Sequence, residues 1–278
     1  MLRINIEDWE LSGGGVNGVS YFHKTDPGMM LKFPNSDVSA DVMQEELDAS
    51  RTAYNMGVPT PEPGDIVTDG KRIGLMFHRV PDKISFAKAI GENPQKTDGY
   101  AHRYALMVKR LHGMKCDKSA VRNVKYMYRR AIMDNPFRDS DLKTKAVNLL
   151  DTLPDADTCI HGDLHFGNVI SDGDKGYFID MSDFCYGYPL FDLSMMPVLC
   201  MLSVVDKARF EYIFHCTSEQ GIRFMHSFES EYFGPDASRS GIEKIMWPYC
   251  LLRMLYMEWE SGRITPSPIT DEAFKIFQ

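Results

Sequence analysis

Residues 159–170 read CIHGDLHFGNVI, and after a short polar turn residues 177–184 read YFIDMSDF. These two brief apolar runs carry His161, Asp163, His165, Asn168 and Asp180, more polar groups than packing calls for. Gly162 and Gly167 mark the first cluster as an irregular loop, and NVIS and YFIDM flank the turn DGDKG as the two strands of a hairpin. A hairpin returns its second strand beside its first, so Asp180 comes close to Asn168. Two neighbouring oxygen donors suit Mg2+, which fills its other positions with water and phosphate. Asp163 is then left to accept the proton of a substrate hydroxyl. A competing reading makes these residues ordinary loop caps. A transition-metal cluster on His161, Asp163 and His165 is disfavoured, because no further histidine follows at ligand spacing.

The 278 residues suffice for one large domain or two modest ones, and 44% hydrophobic content buries a proper core. A net charge of -8 and a pI near 5.5 argue against a nucleic-acid-binding stripe and lean toward a cationic small substrate. Six cysteines lie far apart with no C-x-x-C pair, so neither a zinc site nor a disulfide framework is suggested, and free thiols of a reducing cytoplasm are expected. The start MLRINIEDWE lacks the apolar stretch of a signal peptide, and the longest apolar run, MMPVLCMLSVV, is short of the roughly 20 residues of a membrane helix. A soluble cytoplasmic protein without membrane partners is the expectation.

Residues 9–33 read as three short antiparallel strands, WELSG, VSYFHK and MMLKF. A helix follows over 38–56, capped by Ser36 or Asp37, with Val42, Leu47, Ala49, Ala53 and Met56 as its apolar stripe and Gly57 past its end. GDIVTD and IGLMFHRV give two more strands joined by a turn at 70 and 71. After 79–83 the pattern turns helical, most clearly over 99–114, and from 190 onward helices are expected near 191–204, 206–221, 241–261 and 270–277. The outline is α+β: a small β-rich unit over residues 1–80 and a larger, mainly helical unit over 81–278 that carries the polar hairpin.

Phosphoryl transfer rests on positioning and charge neutralisation, and its enzymes need a phosphate cover, a lysine and an acid to hold that lysine. Candidates for all three lie upstream. Gly13, Gly15 and Gly18 have G-x-G-x-x-G spacing between two strands, where backbone amides can approach phosphates. The dinucleotide-binding version of that motif needs a helix directly after the glycines, whereas VSYFHK reads as a strand. Lys32 lies on the next strand, and either Glu45 or Glu46 of the following helix can reach it. Asp163 to Asn168 has the spacing of the protein-kinase loop H-R-D-x-x-x-x-N.

Together HGDLHFGN (161–168), FIDMSDFCYGYPLFDLS (178–194), RLHGM (110–114) and EELDASRTAYNMGVPTP (45–61) resemble the aminoglycoside phosphotransferase and choline kinase-like family, whose fold is similar to that of protein kinases. The glycine of H-G-D points to this branch. The resemblance implies a two-lobed protein-kinase-like fold and transfer of the γ-phosphoryl of ATP or GTP to a hydroxyl. It implies Asp163 as catalytic base, Asn168 and Asp180 as Mg2+ ligands, Lys32 on the α and β phosphates with Glu46 as partner, and Asp192 bracing the catalytic loop. It also implies that LMFHRV (75–80), with Met76, Phe77 and His78, is the hinge where the adenine meets backbone groups.

The acceptor is expected to be a small molecule, aminoglycoside-like, an amino alcohol or a sugar, bound between the catalytic loop and the helices after 190. Asp183, Glu229, Glu231, Glu258 and Glu260 are candidates to meet amines, although a solvated face is the ordinary reading of such acids. Trp247, Tyr249, Tyr256 and Trp259 are candidates for a cation–π site, although their near-helical spacing is also that of core packing. A protein kinase is a rival, but the text between 180 and 192 is too short for an ordinary activation loop and peptide platform. A nucleotide-binding pseudokinase without turnover is the alternative, and a dehydrogenase ranks last.

Overall fold

The computed structural model describes residues 1–15, 18–261, 267, 270, 271 and 273. The chain opens with strands β1 (Leu2–Arg3), β2 (Trp9–Gly14), β3 (Gly18–His23) and β4 (Met29–Pro34), then helix α1 (Ala40–Asn55), then β5 (Pro63–Thr68) and β6 (Ile73–His78). These strands form one six-stranded sheet in the order β1-β5-β6-β4-β3-β2, antiparallel except for the β1/β5 pair. Alternation along β4 puts Leu31 and Phe33 on one face, buried with Trp9 and Val67, and leaves Lys32 on the other, opposite Leu75 of β6. The β5–β6 connection spans residues 69–72 rather than the two expected, because the Asp69 carboxylate accepts from the Lys71 and Arg72 amides at 2.9 and 2.8 Å.

Helix α1 starts at Ala40, two residues later than the sequence suggests. Its cap is Ser39, whose side chain accepts from the Val42 amide at 3.3 Å, so neither Ser36 nor Asp37 serves. The buried stripe is Met43, Leu47, Ser50 and Ala53, and Met43 and Leu47 pack with Leu75 on the Lys32 side of the sheet. Val42, expected to be buried, is 50% exposed. This phase places Glu46, not Glu45, on the sheet-facing side. Gly57 ends the helix in a left-handed conformation, φ 84°.

The remainder runs β7 (Ile84–Ser85), α2 (Phe86–Glu92), α3 (Thr97–His112), α4 (Val124–Asp134), α5 (Ser140–Thr152), β8 (Thr158–Ile160), β9 (Val169–Ser171), β10 (Gly176–Phe178), β11 (Cys185–Gly187), α6 (Leu190–Leu193), α7 (Met195–Val205), α8 (Lys207–Phe214), α9 (Ser218–Phe233) and α10 (Arg239–Glu260). The helices share one large core in which α3 packs on α9, and α10 packs on α4 and α7. The single helix expected over 206–221 is two. His215 takes a left-handed φ of 53°, and α9 restarts on a capping box in which Thr217 and Gln220 bond each other's amides. The helix expected near 270–277 falls mostly outside the described residues. Among the described residues no helix is long and apolar enough to cross a membrane, and all six cysteines are free thiols, five of them buried.

Candidate active site

Strand β8 delivers the chain into the loop at 161–168, and the hairpin β9–β10 leaves it. The loop is pinned from beneath by Asp192 of α6, which is 1% exposed. Its two oxygens accept from the backbone amides of His161 and Gly162 at 2.7 and 2.8 Å, and His112 Nε2 lies 3.1 Å from Oδ2. His161 is fully buried, with Nε2 3.0 Å from the Ile179 carbonyl and Nδ1 accepting from the Asp163 amide, and burial depresses its basicity. His165 Nδ1 accepts from the Gly167 amide at 3.1 Å. Both histidines therefore shape the loop, and among the described residues no cluster of three or more His, Cys, Asp or Glu is placed to hold a metal. Gly162 has φ 88°, and a Cβ there would run into the Asp183 carbonyl oxygen.

The hairpin register sets Asp180 beside the loop: the Ile179 amide donates to the Asn168 carbonyl at 2.9 Å. Asp180 itself is left-handed, φ 62° and ψ 59°, a conformation costly for a residue with a Cβ. That turn aims its carboxylate at Lys32. Lys32 Nζ donates to Asp180 Oδ1 at 2.8 Å and to Glu46 Oε1 at 2.9 Å. Burial alone would lower the lysine's pKa, but Asp180 and Glu46 outweigh it and hold the ammonium charged. Glu45 instead pairs with Arg122 at 3.4 Å on the surface.

Asn168 Nδ2 donates to the Asp163 carbonyl at 3.0 Å and to Asp163 Oδ2 at 3.1 Å. With the amide nitrogen so committed, the Asn168 oxygen and the second Asp180 oxygen are the atoms available to a cation. A neutral and a charged oxygen donor fit Mg2+ and suit a softer metal poorly. Asp163 Oδ1 accepts from Arg253 Nη2 of α10 at 2.6 Å. Burial pushes the Asp163 carboxyl up, but His165, Arg253 and His161 together hold it well below the usual carboxylate range.

A cavity of about 500 Å³ opens under the sheet, the size of a nucleotide site. Gly13, Gly15 and Gly18 roof it, Lys32, Glu46, Asn168 and Asp180 line it, and Met30, Phe77, Ile170 and Ile179 supply apolar wall. A Cβ on Gly15 would meet nothing within 4 Å, so no neighbouring atom in the fold requires a glycine there. Of the three expected hinge residues Phe77 alone reaches the wall. Strand alternation turns Met76 to the opposite face, against the Trp9, Leu31, Phe33 and Val67 cluster, and the exposed His78 has its amide committed to the Glu62 carbonyl at 2.9 Å. Asp163 is not part of this wall and is reached through Asn168.

The residues expected to meet an acceptor divide. Asp183 accepts from Tyr256 OH at 3.2 Å, and burial, helped by the Asp163 charge, raises its carboxyl to about 6. Glu260 lies at the end of the same helix α10 and within the field of Asp183, Arg253 and Asp163. The others serve structure. Glu258 is buried and gripped by Arg138 and Asn135, Glu231 pairs with His102 on the surface, and Glu229 faces Arg239 and Glu243. Tyr249 is buried in edge contact with Phe191, Trp247 packs on the core, and Trp259 leans on Tyr256. Sequence reasoning missed Arg253. Its signal is a lone arginine inside CLLRMLYM (250–257), since a charge in an apolar helical run must be buried against a partner.

This two-lobed architecture, an α-carrying sheet over a helical body with a lysine, an asparagine and two aspartates converging at the junction, defines a protein-kinase-like phosphotransferase of α+β class. The family model described as the phosphotransferase enzyme family (APH) matches residues 8–209, and the chain belongs to that family. Among solved structures it is similar to a choline/ethanolamine kinase family protein from Mesorhizobium loti, with 17% identity, TM-score 0.58, and coverage of 96% of this chain and 86% of that one. It is also similar to a mutant of aminoglycoside phosphotransferase APH(4)-Ia in ternary complex with ADP and hygromycin B, at 14% identity, TM-score 0.59, and 96% and 90% coverage. An aminoglycoside-3'-phosphotransferase of type VIII matches at 19% identity, TM-score 0.54, and 90% and 93% coverage. No curated protein sequence matches the chain.

Proposed function

We propose that the protein transfers the γ-phosphoryl of ATP or GTP to a hydroxyl of a small molecule, an aminoglycoside-like compound, an amino alcohol or a sugar. The observation that carries this reading is the bridge Glu46–Lys32–Asp180, which joins sheet to catalytic hairpin at 2.9 and 2.8 Å beside the Asn168–Asp163 pair. In this reading residues 1–80 form the nucleotide-binding lobe and 81–278 the catalytic and acceptor-binding lobe, whose Asn168 and Asp180 close the nucleotide cavity from below. Gly13, Gly15 and Gly18 cover the phosphates, and Lys32, fixed by Glu46, neutralises them. Asn168 and Asp180 are the residues that would hold Mg2+, which would supply charge neutralisation for the phosphates. Asp163, ionised across the physiological range, accepts a hydrogen bond from the acceptor hydroxyl, aims its oxygen in line and takes its proton as the O–Pγ bond forms and the bond from Pγ to the β–γ bridging oxygen breaks, releasing the nucleoside diphosphate. Asp183 and Glu260 favour an acceptor that carries an amine, in line with the acidic chain, and the free thiols suit a reducing cytoplasm.

The test is Asp163→Ala in a nucleotide-consumption assay over aminoglycosides, choline, ethanolamine, amino alcohols and sugars with Mg2+. Turnover is expected to vanish while nucleotide affinity stays within about twofold. Equal turnover in variant and parent removes Asp163 from the role. A parent that binds nucleotide yet phosphorylates nothing in the panel favours the alternative, a nucleotide-binding protein without turnover.

A further inference from the structure

Helix α10 sends one arginine into the catalytic loop. Arg253 is 1% exposed, the largest of the fully buried side chains. Its Nη1 donates to the Gly162 carbonyl at 2.5 Å and its Nη2 to Asp163 Oδ1 at 2.6 Å, with Tyr128 OH 3.5 Å from Nη1 and the Tyr256 ring beneath the guanidinium at 5.5 Å. The fork thus clamps backbone and side chain of consecutive residues, and the clamp crosses 90 positions of sequence. Nε is buried without a partner. Burying a guanidinium and leaving one of its N–H groups unsatisfied is costly, and a methionine or leucine would fill this apolar stretch more cheaply. The cost is borne where it fixes one carboxylate.

Building on the phosphotransfer reading above, we infer that Arg253 is the positioning residue for Asp163. The two carboxylate oxygens have separate holders: Oδ1 is taken by Arg253, and Oδ2 is shared by Asn168 Nδ2 at 3.1 Å and His165 Nε2 at 3.5 Å. Rotation of the carboxylate about its terminal bond is therefore stopped from two sides, and the remaining lone pair has one direction in which to meet a hydroxyl. The catalytic loop cannot supply such a holder at position 162, where a side chain collides with the Asp183 carbonyl. A helix distant in sequence supplies it. Lysine cannot replace the arginine, since a single ammonium lacks the planar fork that reaches both acceptors. Because α10 also carries Tyr256 and Glu260, the alignment of Asp163 is tied to the helix flanking the acceptor side.

The experiment compares parent, Arg253→Lys and Arg253→Met for kcat, nucleotide KM, Mg2+–ADP affinity and melting temperature. Misaligning a reacting group by an ångström costs about a hundredfold. Arg253→Met is expected to lower kcat about a hundredfold and Arg253→Lys about tenfold, with nucleotide KM and ADP affinity within about twofold of the parent. Partial recovery by lysine at constant nucleotide affinity marks a positioning role, which a merely structural residue does not show. If Arg253→Met does not fold, Arg253→Lys alone carries the test. An Arg253→Lys variant with the parent's kcat, or one whose kcat and ADP affinity fall together, overturns the inference. A parent that yields no phosphorylated product fails the phosphotransfer reading instead, and the positioning role falls with it.

Discussion

At the residue scale the site is a set of charges placed so that each sets the state of the next. Glu46 and Glu45 are adjacent in sequence and opposite in fate: the first holds Lys32 at 2.9 Å with 14% of its side chain exposed, and the second pairs with Arg122 at 3.4 Å with 65% of its side chain exposed. Glu46→Gln is expected to lower kcat/KM for nucleotide about 10- to 100-fold by freeing Lys32 to collapse onto Asp180, whereas Glu45→Gln leaves it within twofold. Equal effects in the two variants refute this assignment. Asp183 allows a second prediction. Its folded pKa, about 6, lies above the ordinary carboxylate value, so the protonated form is favoured by folding. The stability it contributes is complete below about pH 4 and is lost as pH rises through about 6. Asp183→Asn is expected to melt with the parent near pH ~4 and above it near pH ~8. A melting difference that does not change with pH contradicts the cause. The residues within 161–180 were legible because their partners are close in sequence, across one hairpin. Arg253 was not, because it lies 90 positions from Asp163 and the packing of α10 on α4 and α7 brings the two together, and the choice between Glu45 and Glu46 waited on a helix phase set by a cap at Ser39 rather than at Ser36 or Asp37.

At the element scale the glycine turn between β2 and β3 separates two uses of one residue type. Gly18 lets β3 close on β4: a Cβ there would sit 2.5 Å from the Phe33 carbonyl oxygen, which the sheet holds in place. Gly15 has open space around its Cβ direction and roofs the cavity. Gly18→Ala is thus expected to cost about 1–3 kcal/mol of stability, as overpacking does. Gly15→Ala is expected to stay within about 0.5 kcal/mol of the parent in denaturant melts while weakening ADP about tenfold, the equivalent of ~1.4 kcal/mol. A Gly15→Ala variant with unaltered ADP affinity would show that the loop does not approach the phosphates. The strands and the β9–β10 hairpin were readable because alternation and turn residues are local signals. The break between α8 and α9 was missed although part of its signal is present: Thr217 and Gln220 in KARFEYIFHCTSEQG have capping-box spacing, but the stop before them is a left-handed His215 where no glycine marks it.

At the scale of the whole molecule, sheet and helical body meet through few direct ties near the cavity. Among the described residues these include the Lys32–Asp180 ion pair, the Phe178 amide on the Pro59 carbonyl at 2.7 Å, the exposed Arg122–Glu45 pair, the packing of α1 against residues 181–183, and Ala53 and Val58 buried in the core of the helical body. The cavity is lined from both sides, by the glycine turn and Lys32 above and by Asn168, Ile170 and Asp180 below, so on the proposed reading a nucleotide would touch both. Its binding free energy is therefore added to the junction and not to either part alone. At a ligand concentration of 100 times Kd the gain is about 2.7 kcal/mol, which for a chain of this size raises the melting temperature by roughly 5–10 °C. ADP with Mg2+ is expected to give that shift and ADP with chelator a smaller one, because on the proposed reading the second Asp180 oxygen and the Asn168 oxygen would hold the cation that neutralises the phosphates. Asp180→Asn separates the two contributions. It removes the lysine's second partner and a charged metal donor, so the Mg2+-dependent part of the shift is expected to disappear while the part owed to base and ribose remains. If Asp180→Asn keeps the full Mg2+-dependent shift, the metal is held elsewhere, and the strained left-handed backbone at Asp180 serves only to close the sheet onto the hairpin.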